Sequence, residues 1–335
     1  MERKVLRIGT RESQLAVWQA NRVKELLSQQ GYESELVYIK SEGDIDLQTP
    51  LYEIGVQGIF TRSLDIALLN HRIDLAVHSM KDVPTQLPKG LVQCSVLKRA
   101  SYKDLFVYKG DIAELEESLG FVDGEWSIVN SQLPGVNNEK PSLTTHNSQL
   151  TIATSSIRRK AQWLNRYPND TVENLRGNVN TRLRKVAESD WDGAIFAAAG
   201  LERIDLRPEK SIELDWMIPA PAQGAIVVVC RDEDIFSYES CQDFNDSKTA
   251  LCTKIEKDFL RTLLGGCSTP ISALAQIEND TVYFKGNIFA VDGSSRADIE
   301  KAVSISDAEG LGKIAALEIL AKGGQVIADS IHHER

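Results

Sequence analysis

Basic side chains stand at successive points where a predicted strand is followed by a predicted helix. They are Arg11, Lys81, Arg158 with Arg159, Arg176 with Arg182, and Arg203, accompanied by the hydroxyl residues Ser13, Ser79, Thr154, Ser155 and Ser156. In an open α/β sheet the carboxyl ends of the strands meet at one edge, where helix N-termini present free amides to negative charge. Each junction alone is compatible with a helix cap beside a solvated arginine. Five junctions together indicate a site that binds several anionic groups through charge-assisted hydrogen bonds.

The chemical class of the anion follows from the motifs that are missing. The sequence has no GxxxxGK[ST] loop and no GxGxxG after a strand, so a polycarboxylate fits better than a phosphate ester. Lys and Arg number 38 against 48 Asp and Glu, a net charge of −10. This balance argues against a general attraction to nucleic acid.

Asp82 is a carboxylate among these cations, between Lys81 and the turn-forming pair Val83 and Pro84. An aspartate before a proline is often only a turn residue. In a ring of arginines, however, a carboxylate would repel an anionic ligand unless it faced a positive centre or an N–H donor on that ligand. Asp82 is therefore a candidate for stabilising positive charge during a reaction.

Five cysteines form no CxxC pair and no Cys/His metal spacing, which argues against a disulfide framework and a zinc site. Cys94, Cys230 and Cys252 lie in apolar or helical surroundings and are expected to be buried, whereas Cys241 lies in a polar stretch and is expected at the surface. Cys267 follows two glycines that free the backbone to bring its sulfur into a cleft. An ordinary loop cysteine is the alternative for Cys267.

The order of predicted elements indicates two α/β units and a separate α+β domain. Predicted strands include residues 5–9, 34–39, 75–79, 151–153, 171–174 and 193–197, and predicted helices include 13–28, 60–70, 156–166, 179–188, 250–263 and a closing helix at 311–322. Residues at about 110–150 are predicted to be a surface insertion. The apolar runs are far shorter than the roughly 18 residues of a membrane span, and without an apolar signal region the chain is expected in the cytoplasm.

Seven segments, in order along the chain, resemble the porphobilinogen deaminase family. They are residues 7–16, 76–84, 153–159, 175–183, 199–201, 222–225 and 264–271, which include Arg-Ile-Gly-Thr-Arg-Glu-Ser, His-Ser-Met-Lys-Asp-Val-Pro and Leu-Gly-Gly-Cys-Ser-Thr-Pro. The resemblance implies an α/β fold with two periplasmic-binding-protein-like lobes, built on mainly parallel sheets, plus a C-terminal α+β domain. The implied domains are residues 1–99 with 225–243, residues 103–220, and residues 246–335.

The resemblance also implies an activity, that of hydroxymethylbilane synthase in tetrapyrrole and haem synthesis. Four porphobilinogen molecules would be joined head to tail with loss of ammonia, and water would release hydroxymethylbilane. A dipyrromethane cofactor would be attached through Cys267. The expected partners are porphobilinogen and the growing oligopyrrole chain, with no metal, nucleic acid or membrane, and the protein is expected to be a monomer.

The family's functional residues fall on the positions already singled out. Asp82 and Lys81 would be catalytic, Asp82 against the cationic species formed on deamination. The cofactor would be held by Cys267, Arg11, Ser13, Ser79, Lys81, Asp82, Thr154, Ser155, Ser156, Arg158, Arg159, Arg176, Arg182 and Gln223. Substrate would contact Arg11, Phe60, Arg176, Arg182 and Arg203.

A second hypothesis is a non-catalytic, two-lobed protein that binds polycarboxylates. Such a receptor would need the same arginines, but it would need neither Cys267 nor Asp82. The chain also departs from the family at Glu53, Val56 and Gln57, where basic residues or glycine are common.

Overall fold

The computed structural model describes residues 5–40, 61–111, 115, 119–122, 125–126, 149–263 and 269–333. Phe60, Cys267, the segment with Glu53 and Gln57, and most of the insertion at 110–150 lie outside these residues. Within the described ranges, no helix has the length and apolar character needed to cross a bilayer.

The first sheet has five strands, one of which comes from a distant part of the chain. The strands are β1 (Leu6–Thr10), β2 (Ser34–Tyr38), β3 (Leu75–Ser79), β4 (Leu91–Val96) and β12 (Ile226–Arg231). Their order is β2-β1-β3-β12-β4. β1 is parallel to β2 and β3, whereas β12 is antiparallel to both β3 and β4. Four strands thus run in one direction and β12 runs against them.

Helices cover both faces of this sheet, so its strands are rich in apolar residues. The helices are α1 (Gln14–Gln29), α2 (Arg62–Leu69) and α6 (Ile235–Ser240). α1 buries Ala20, Val23 and Leu27 against one face, and α2 buries Leu64 and Leu68 against the other. The sheet is therefore fixed from both sides, which holds the carboxyl ends of its strands in place.

The second sheet repeats this arrangement. Its strands are β5 (Asp104–Tyr108), β8 (Thr151–Ala153), β9 (Thr171–Glu173), β10 (Gly193–Ala197) and β11 (Ser211–Glu213). They lie in the order β11-β5-β10-β8-β9, and β5 is the strand that is antiparallel to its neighbours. The associated helices are α3 (Ile157–Arg166), α4 (Val179–Glu188) and α5 (Ala198–Glu202). A separate ribbon pairs β6 (Phe121–Val122) with β7 (Glu125–Trp126).

The chain crosses between the two sheets twice, from β4 to β5 and from β11 back to β12. The two crossings contact each other: Ala100 N donates to Gly224 O at 3.1 Å, and Arg99 Nε donates to Gln223 O at 2.8 Å. The first crossing leads into β5 and the second into β12, and these are the two strands that run antiparallel to their neighbours. The two lobes are therefore connected by two segments of the chain, which lie side by side.

A third sheet follows, with a helix packed against it. β13 (Ile271–Glu278), β14 (Thr281–Phe289) and β15 (Arg296–Ser304) form an antiparallel meander. α7 (Ser247–Thr262) packs Phe259 against Phe284 with ring centroids 5.1 Å apart. The chain continues through α8 (Leu311–Ile319), a π-turn (Leu320–Gly324) and α9 (Gln325–His333).

Glu256 of α7 joins this third unit to the crossings. Its fully buried carboxylate accepts hydrogen bonds from Arg99 Nη1 and Nη2 at 2.6 and 3.1 Å, from Ala222 N at 2.6 Å and from Ala275 N at 2.7 Å. One carboxylate thereby satisfies donors from three segments of the chain, as a buried charge requires.

The predicted fold class is confirmed: each of the first two sheets has four strands in one direction and one reversed, and a C-terminal antiparallel sheet follows. Several elements were missed, namely β4, β11, β12, β15, α6 and α9. The predicted closing helix at 311–322 is regular α-helix over Leu311–Ile319, the helical backbone breaks at Lys322 and Gly323, and a further helix that was not predicted follows. The surface prediction for Cys241 is wrong: it is fully buried at the end of α6, in the same core as Cys94 and Cys230.

Candidate active site

Asp82 lies in a short 3₁₀ turn, Met80–Asp82, that directly follows β3. The turn is held on two sides. Ser79 Oγ accepts a hydrogen bond from Gln19 Nε2 of α1 at 2.8 Å. Lys257 Nζ of α7 donates to the carbonyls of the next two residues, Val83 and Pro84, at 2.9 and 3.1 Å. The Asp82 carboxylate is therefore carried on a segment fixed by the first and third units, as a positioned catalytic group requires.

Lys81 points from the same turn toward the second sheet. Its Nζ donates to Gln223 Oε1 at 3.4 Å. Burial lowers the pKa of Lys81 to about 8; Asp82 and Asp104 oppose this shift, and Arg159 and Arg158 add to it. Lys81 thus loses its proton at a lower pH than an ordinary lysine, and it lies within electrostatic range of both arginines.

The N-terminus of α3 presents three hydroxyl residues, and two of them order its first turn. Ser156 is the N-cap, and its side chain accepts from Arg159 N at 3.5 Å. Thr154 Oγ1 accepts from Ser156 N at 3.2 Å. Ser155 lies between them and is buried. These contacts set the direction in which the arginines leave the helix.

Arg158 and Arg159 both bind one carboxylate, Asp104 at the start of β5. Arg158 Nη1 donates to Asp104 Oδ2 at 2.8 Å, and Arg159 Nη2 and Nε donate to Asp104 Oδ1 at 2.7 and 3.1 Å. Their remaining contacts are to backbone: Arg158 Nη1 also donates to Ile218 O at 2.9 Å, and Arg159 Nη1 to Ile195 O at 2.8 Å. Gln223 Nε2 adds a bond to Asp104 Oδ1 at 2.9 Å.

Burial and neighbouring charges shift the pKa values of Asp104 and Arg158. Burial raises the pKa of Asp104, but the neighbouring charges of Arg158 and Arg159 outweigh it and hold the pKa well below its usual range. Burial lowers the pKa of Arg158. Arg158 Nε is also buried without a hydrogen-bond partner among the described residues. An orphaned donor on a buried cation is costly, and a ligand acceptor would relieve that cost.

Arg176 and Arg182 extend the cluster from the second lobe. Arg176 is buried after β9, and Arg182 Nε in α4 donates to Gly177 O at 2.7 Å. Burial, followed by the charges of Arg159 and Arg176, lowers the pKa of Arg182 to about 10, while Asp82 opposes the shift. Arg182 is therefore close enough to interact with basic residues on two other segments and with Asp82.

We refer to Lys81, Arg158, Arg159, Arg176 and Arg182 as the basic cluster. Lys81, Arg158, Arg159 and Arg182 each interact with Asp82 or Asp104, and Arg176 interacts with Arg182. Buried like charges repel one another, and compensation by further negative charge stabilises them. The basic cluster therefore fits a ligand that carries several carboxylates, as the sequence predicted.

Arg11 lies beside the basic cluster and lines a small pocket that opens to solvent. The pocket is lined by Arg11, Ala16, Gln19, Thr61, Val77, His78, Ser79 and Asp82. Ser13 is the N-cap of α1, and its side chain makes no capping hydrogen bond. Burial, helped by the charges of Arg11 and Lys257, lowers the pKa of His78 to about 3, so this histidine is neutral at physiological pH.

Arg203 lies away from the basic cluster, at the end of α5. Its Nη2 donates to Gly224 O at 2.7 Å, and its guanidinium lies 5.7 Å from the centroid of the Trp18 ring. Burial lowers the pKa of Arg203 to about 10. Arg203 is thus placed between the first lobe and the crossing that carries Gln223.

Four further residues of this region were not predicted from the sequence, namely Asp104, Gln19, His78 and Trp18. Asp104 carried the clearest signal, because a charged residue at the start of a buried apolar strand requires a buried partner. The partners themselves, more than fifty residues away, could not be identified from spacing.

Comparison with known proteins assigns the chain to a family. A model of the "porphobilinogen deaminase, dipyromethane cofactor binding domain" matches residues 6–238, and the C-terminal domain model of the same family matches residues 250–321. The chain belongs to the porphobilinogen deaminase family. A porphobilinogen deaminase of Syntrophotalea carbinolica is 38% identical over 98% of this chain and 96% of its own length. A porphobilinogen deaminase of Geobacter sulfurreducens is 36% identical over 98% of this chain and 95% of its own length.

The chain also has weaker similarity to solved structures. The VFT2 domain of Bordetella pertussis BvgS has a TM-score of 0.39 at 12% identity, covering 71% of this chain and 85% of that domain. An amino acid ABC transporter substrate-binding protein of Streptococcus pneumoniae has a TM-score of 0.37 at 12% identity, covering 72% and 87%.

Family membership confirms several predictions made from the sequence. The predicted enzyme class is confirmed, a transferase of porphyrin and haem synthesis with hydroxymethylbilane synthase activity, and the non-catalytic alternative is not favoured. The matched domain is the family's cofactor-binding domain, which confirms the predicted dipyrromethane cofactor.

Proposed function

We propose that the basic cluster and Asp82 together form the centre at which this chain polymerises porphobilinogen. The observation that carries the proposal is the gathering of five buried or half-buried cations around Asp82 and Asp104, where two lobes meet. Each porphobilinogen brings an acetate and a propionate, so the ligand gains negative charge with every addition. Such a ligand supplies the negative charge that the cations of the basic cluster need for compensation.

The residues of the cluster fit the dipyrromethane cofactor. Arg158, Arg176 and Arg182 would hold its carboxylates, and the orphaned Nε of Arg158 offers a donor for one of them. Thr154, Ser155, Ser156, Ser79 and Gln223 would assist, and Cys267, outside the described residues, would carry the covalent thioether. When bound, the cofactor supplies a primer with a nucleophilic pyrrole carbon to which the first substrate ring is joined.

Asp104 preorganises this binding site. Because its carboxylate binds Arg158 and Arg159 from the protein side, it fixes both guanidinium planes before the ligand arrives. Arg159 keeps N–H groups beyond those used for Asp104 and Ile195, since a guanidinium carries five. Preorganised donors cost little reorganisation during the reaction.

Asp82 would act on the substrate. An ionised carboxylate on a fixed turn can accept a hydrogen bond from a pyrrole N–H and stabilise the positive charge that develops as ammonia leaves. Lys81, its neighbour, would bind a ligand carboxylate and keep the turn oriented through Gln223. Arg11 would bind the incoming ring's carboxylate in the pocket that it shares with Asp82, with Ser13 beside it. Phe60, outside the described residues, would lie against that ring.

We further propose three domains, each with one of the three sheets: residues 1–99 with 225–243, residues 103–220, and residues 246–335. We also propose a monomer that acts in the cytoplasm. The described cysteines are free thiols, as is usual in a reducing compartment. Gel filtration tests the monomer directly.

Turnover distinguishes an enzyme from a polycarboxylate receptor. Purified protein incubated with porphobilinogen should release ammonia in proportion to the substrate consumed and yield a linear tetrapyrrole that cyclises to a coloured uroporphyrin after oxidation. A receptor would bind porphobilinogen reversibly without releasing ammonia, and that result would overturn the proposal.

A further inference from the structure

The first turns of α1 contact the second lobe through side chains alone. α1 buries Ala16, Ala20 and Val23 in its own lobe, which leaves Gln14 and Trp18, one turn apart, on the opposite face. Gln14 Oε1 accepts a hydrogen bond from Asn180 Nδ2 of α4 at 2.9 Å. Trp18 lies against the Arg203 guanidinium, 5.7 Å from its ring centroid. We call these two contacts the clasp.

The clasp bridges the two lobes, because α1 packs on the first sheet, whereas α4 and Arg203 belong to the lobe of the second sheet. Gly200 of α5 faces the same surface: a Cβ at this position would stand 3.7 Å from Leu15 Cδ2. The side chains that form the clasp are partly exposed to solvent. Trp18 itself is 37% exposed. Such contacts are weak and can break and reform as the lobes move.

The Arg203 side chain has one described hydrogen bond, to Gly224 O. Gly224 follows Gln223, whose amide joins Lys81 to Asp104. Arg203 therefore lies outside the basic cluster, beside the segment that carries Gln223, and it contacts a carbonyl on one side and an indole ring on the other. A separation of the lobes would remove the indole contact, because Trp18 belongs to the first lobe and Arg203 to the second.

We propose that Trp18 is a positioning residue, which orients Arg203 toward the carboxylates of the growing chain while the clasp holds the lobes together. This inference rests on the proposed function. With each added ring the ligand needs more room, so the clasp must loosen in the later steps. The contribution of Trp18 should therefore differ between early and late additions, which a merely structural residue would not show.

The test compares three variants of the full-length holoenzyme. Trp18→Leu removes the aromatic face, Trp18→Phe retains one, and Tyr283→Leu removes a similarly exposed aromatic residue from β14 as a matched control. The readouts are KM and kcat for porphobilinogen, together with the mass-spectrometric populations of covalent species with one, two and three added rings at limiting substrate.

We expect Trp18→Leu to raise KM about twofold to fivefold, the range of a lost cation–π contact at an exposed site, and to change the ratio of early to late covalent species. Trp18→Phe should restore most of both effects, and Tyr283→Leu should match the wild type. If Trp18→Leu fails to fold, Trp18→Met provides the same test, because methionine also lacks a ring but keeps a long, adaptable apolar side chain. A wild-type KM and wild-type ratios in the variant used would overturn the inference.

The outcome also separates this inference from the proposed function. If the wild type forms covalent species and releases product while Trp18→Leu is indistinguishable from it, the clasp inference fails alone. If the wild type forms no covalent species with porphobilinogen, the proposed function fails and the inference fails with it.

Discussion

Asp104 and Arg159 form a two-pronged ion pair in the protein interior, with Arg159 Nη2 and Nε donating to Asp104 Oδ1 at 2.7 and 3.1 Å. Arg158 binds the other carboxylate oxygen. Two of the arginines that were predicted to bind ligand are thus also paired with a carboxylate of the protein itself, Asp104. The site combines a permanent counter-charge with a surplus of cations left for the ligand.

Asp104→Asn should destabilise the protein by about 3–5 kcal/mol, the usual cost of breaking a buried ion pair. The substitution leaves Arg158 and Arg159 buried without their counter-charge. Urea unfolding measures the loss. Asp215→Asn is the control: it removes the partner of Lys103, but Asp215 is 56% exposed, so about 1 kcal/mol or less is expected. Similar unfolding free energies for the two variants would contradict the role assigned to Asp104.

The strand ends and helix starts that carry the site were predictable because they depend on local signals. β3 followed by Met80–Asp82, and Ser156 followed by α3, each join a short apolar run to residues that cap or turn. The basic cluster was predicted for the same reason, since each member stands next to one of these junctions. Family resemblance then gave roles that the residue types alone left open.

Contacts between distant segments were not predictable from one sequence. β12 pairs with β3 and β4 although the chain visits the second lobe in between. Asp104 finds its arginines across the second sheet. Cys241 was assigned to the surface because its neighbours are polar, yet α6 turns its sulfur into the core with Cys94 and Cys230. β15 was missed because it alternates charged with apolar residues and carries less apolar character than β14.

Asp65→Asn should stabilise the protein at neutral pH. Asp65 is buried in the first turn of α2, where burial raises its pKa to about 6, and its Oδ1 has no hydrogen-bond partner among the described residues. The unfolded chain should titrate near 4. Between these values the native state binds more protons, so stability falls as pH rises from about 4 to 6 and remains lower above that range.

The expected gain from Asp65→Asn is about 2–3 kcal/mol at pH 7.5, following about 1.4 kcal/mol per pKa unit, and it should vanish near pH 4. The free energy of unfolding measured across this range provides the test. The exposed Asp307→Asn serves as the control and should leave the pH slope unchanged. A gain of equal size at pH 4 and pH 7.5 would show that Asp65 does not titrate as described.

Asp82→Asn should lower kcat about 100-fold to 1000-fold, the usual effect of removing a group that stabilises charge in a transition state. The fold should persist, because the turn is held by Gln19 and Lys257 contacts that do not use the carboxylate. Steady-state product formation and the thermal midpoint are the measurements. Asp243→Asn, in an exposed position, is the control. Turnover close to wild type would show that the carboxylate is wrongly assigned.

The affinity for porphobilinogen should weaken above pH 8. Lys81 has a pKa lowered to about 8, so its charged fraction falls as pH rises through that value, and with it the attraction for a ligand carboxylate. KM measured from pH 6.5 to 9.5 should rise above the inflection. Lys81→Arg keeps its charge throughout this range and should remove the inflection. An unchanged inflection in that variant would assign it to another group.

Intact-mass measurement of the purified protein, after incubation with porphobilinogen, tests most directly whether this cleft holds a covalent oligopyrrole. We expect the wild type and the control Cys252→Ser to exceed the sequence mass by two pyrrole units or more, and Cys267→Ser to show the sequence mass alone. A wild-type protein that keeps its bare sequence mass, or a Cys267→Ser variant that still gains pyrrole units, would contradict it.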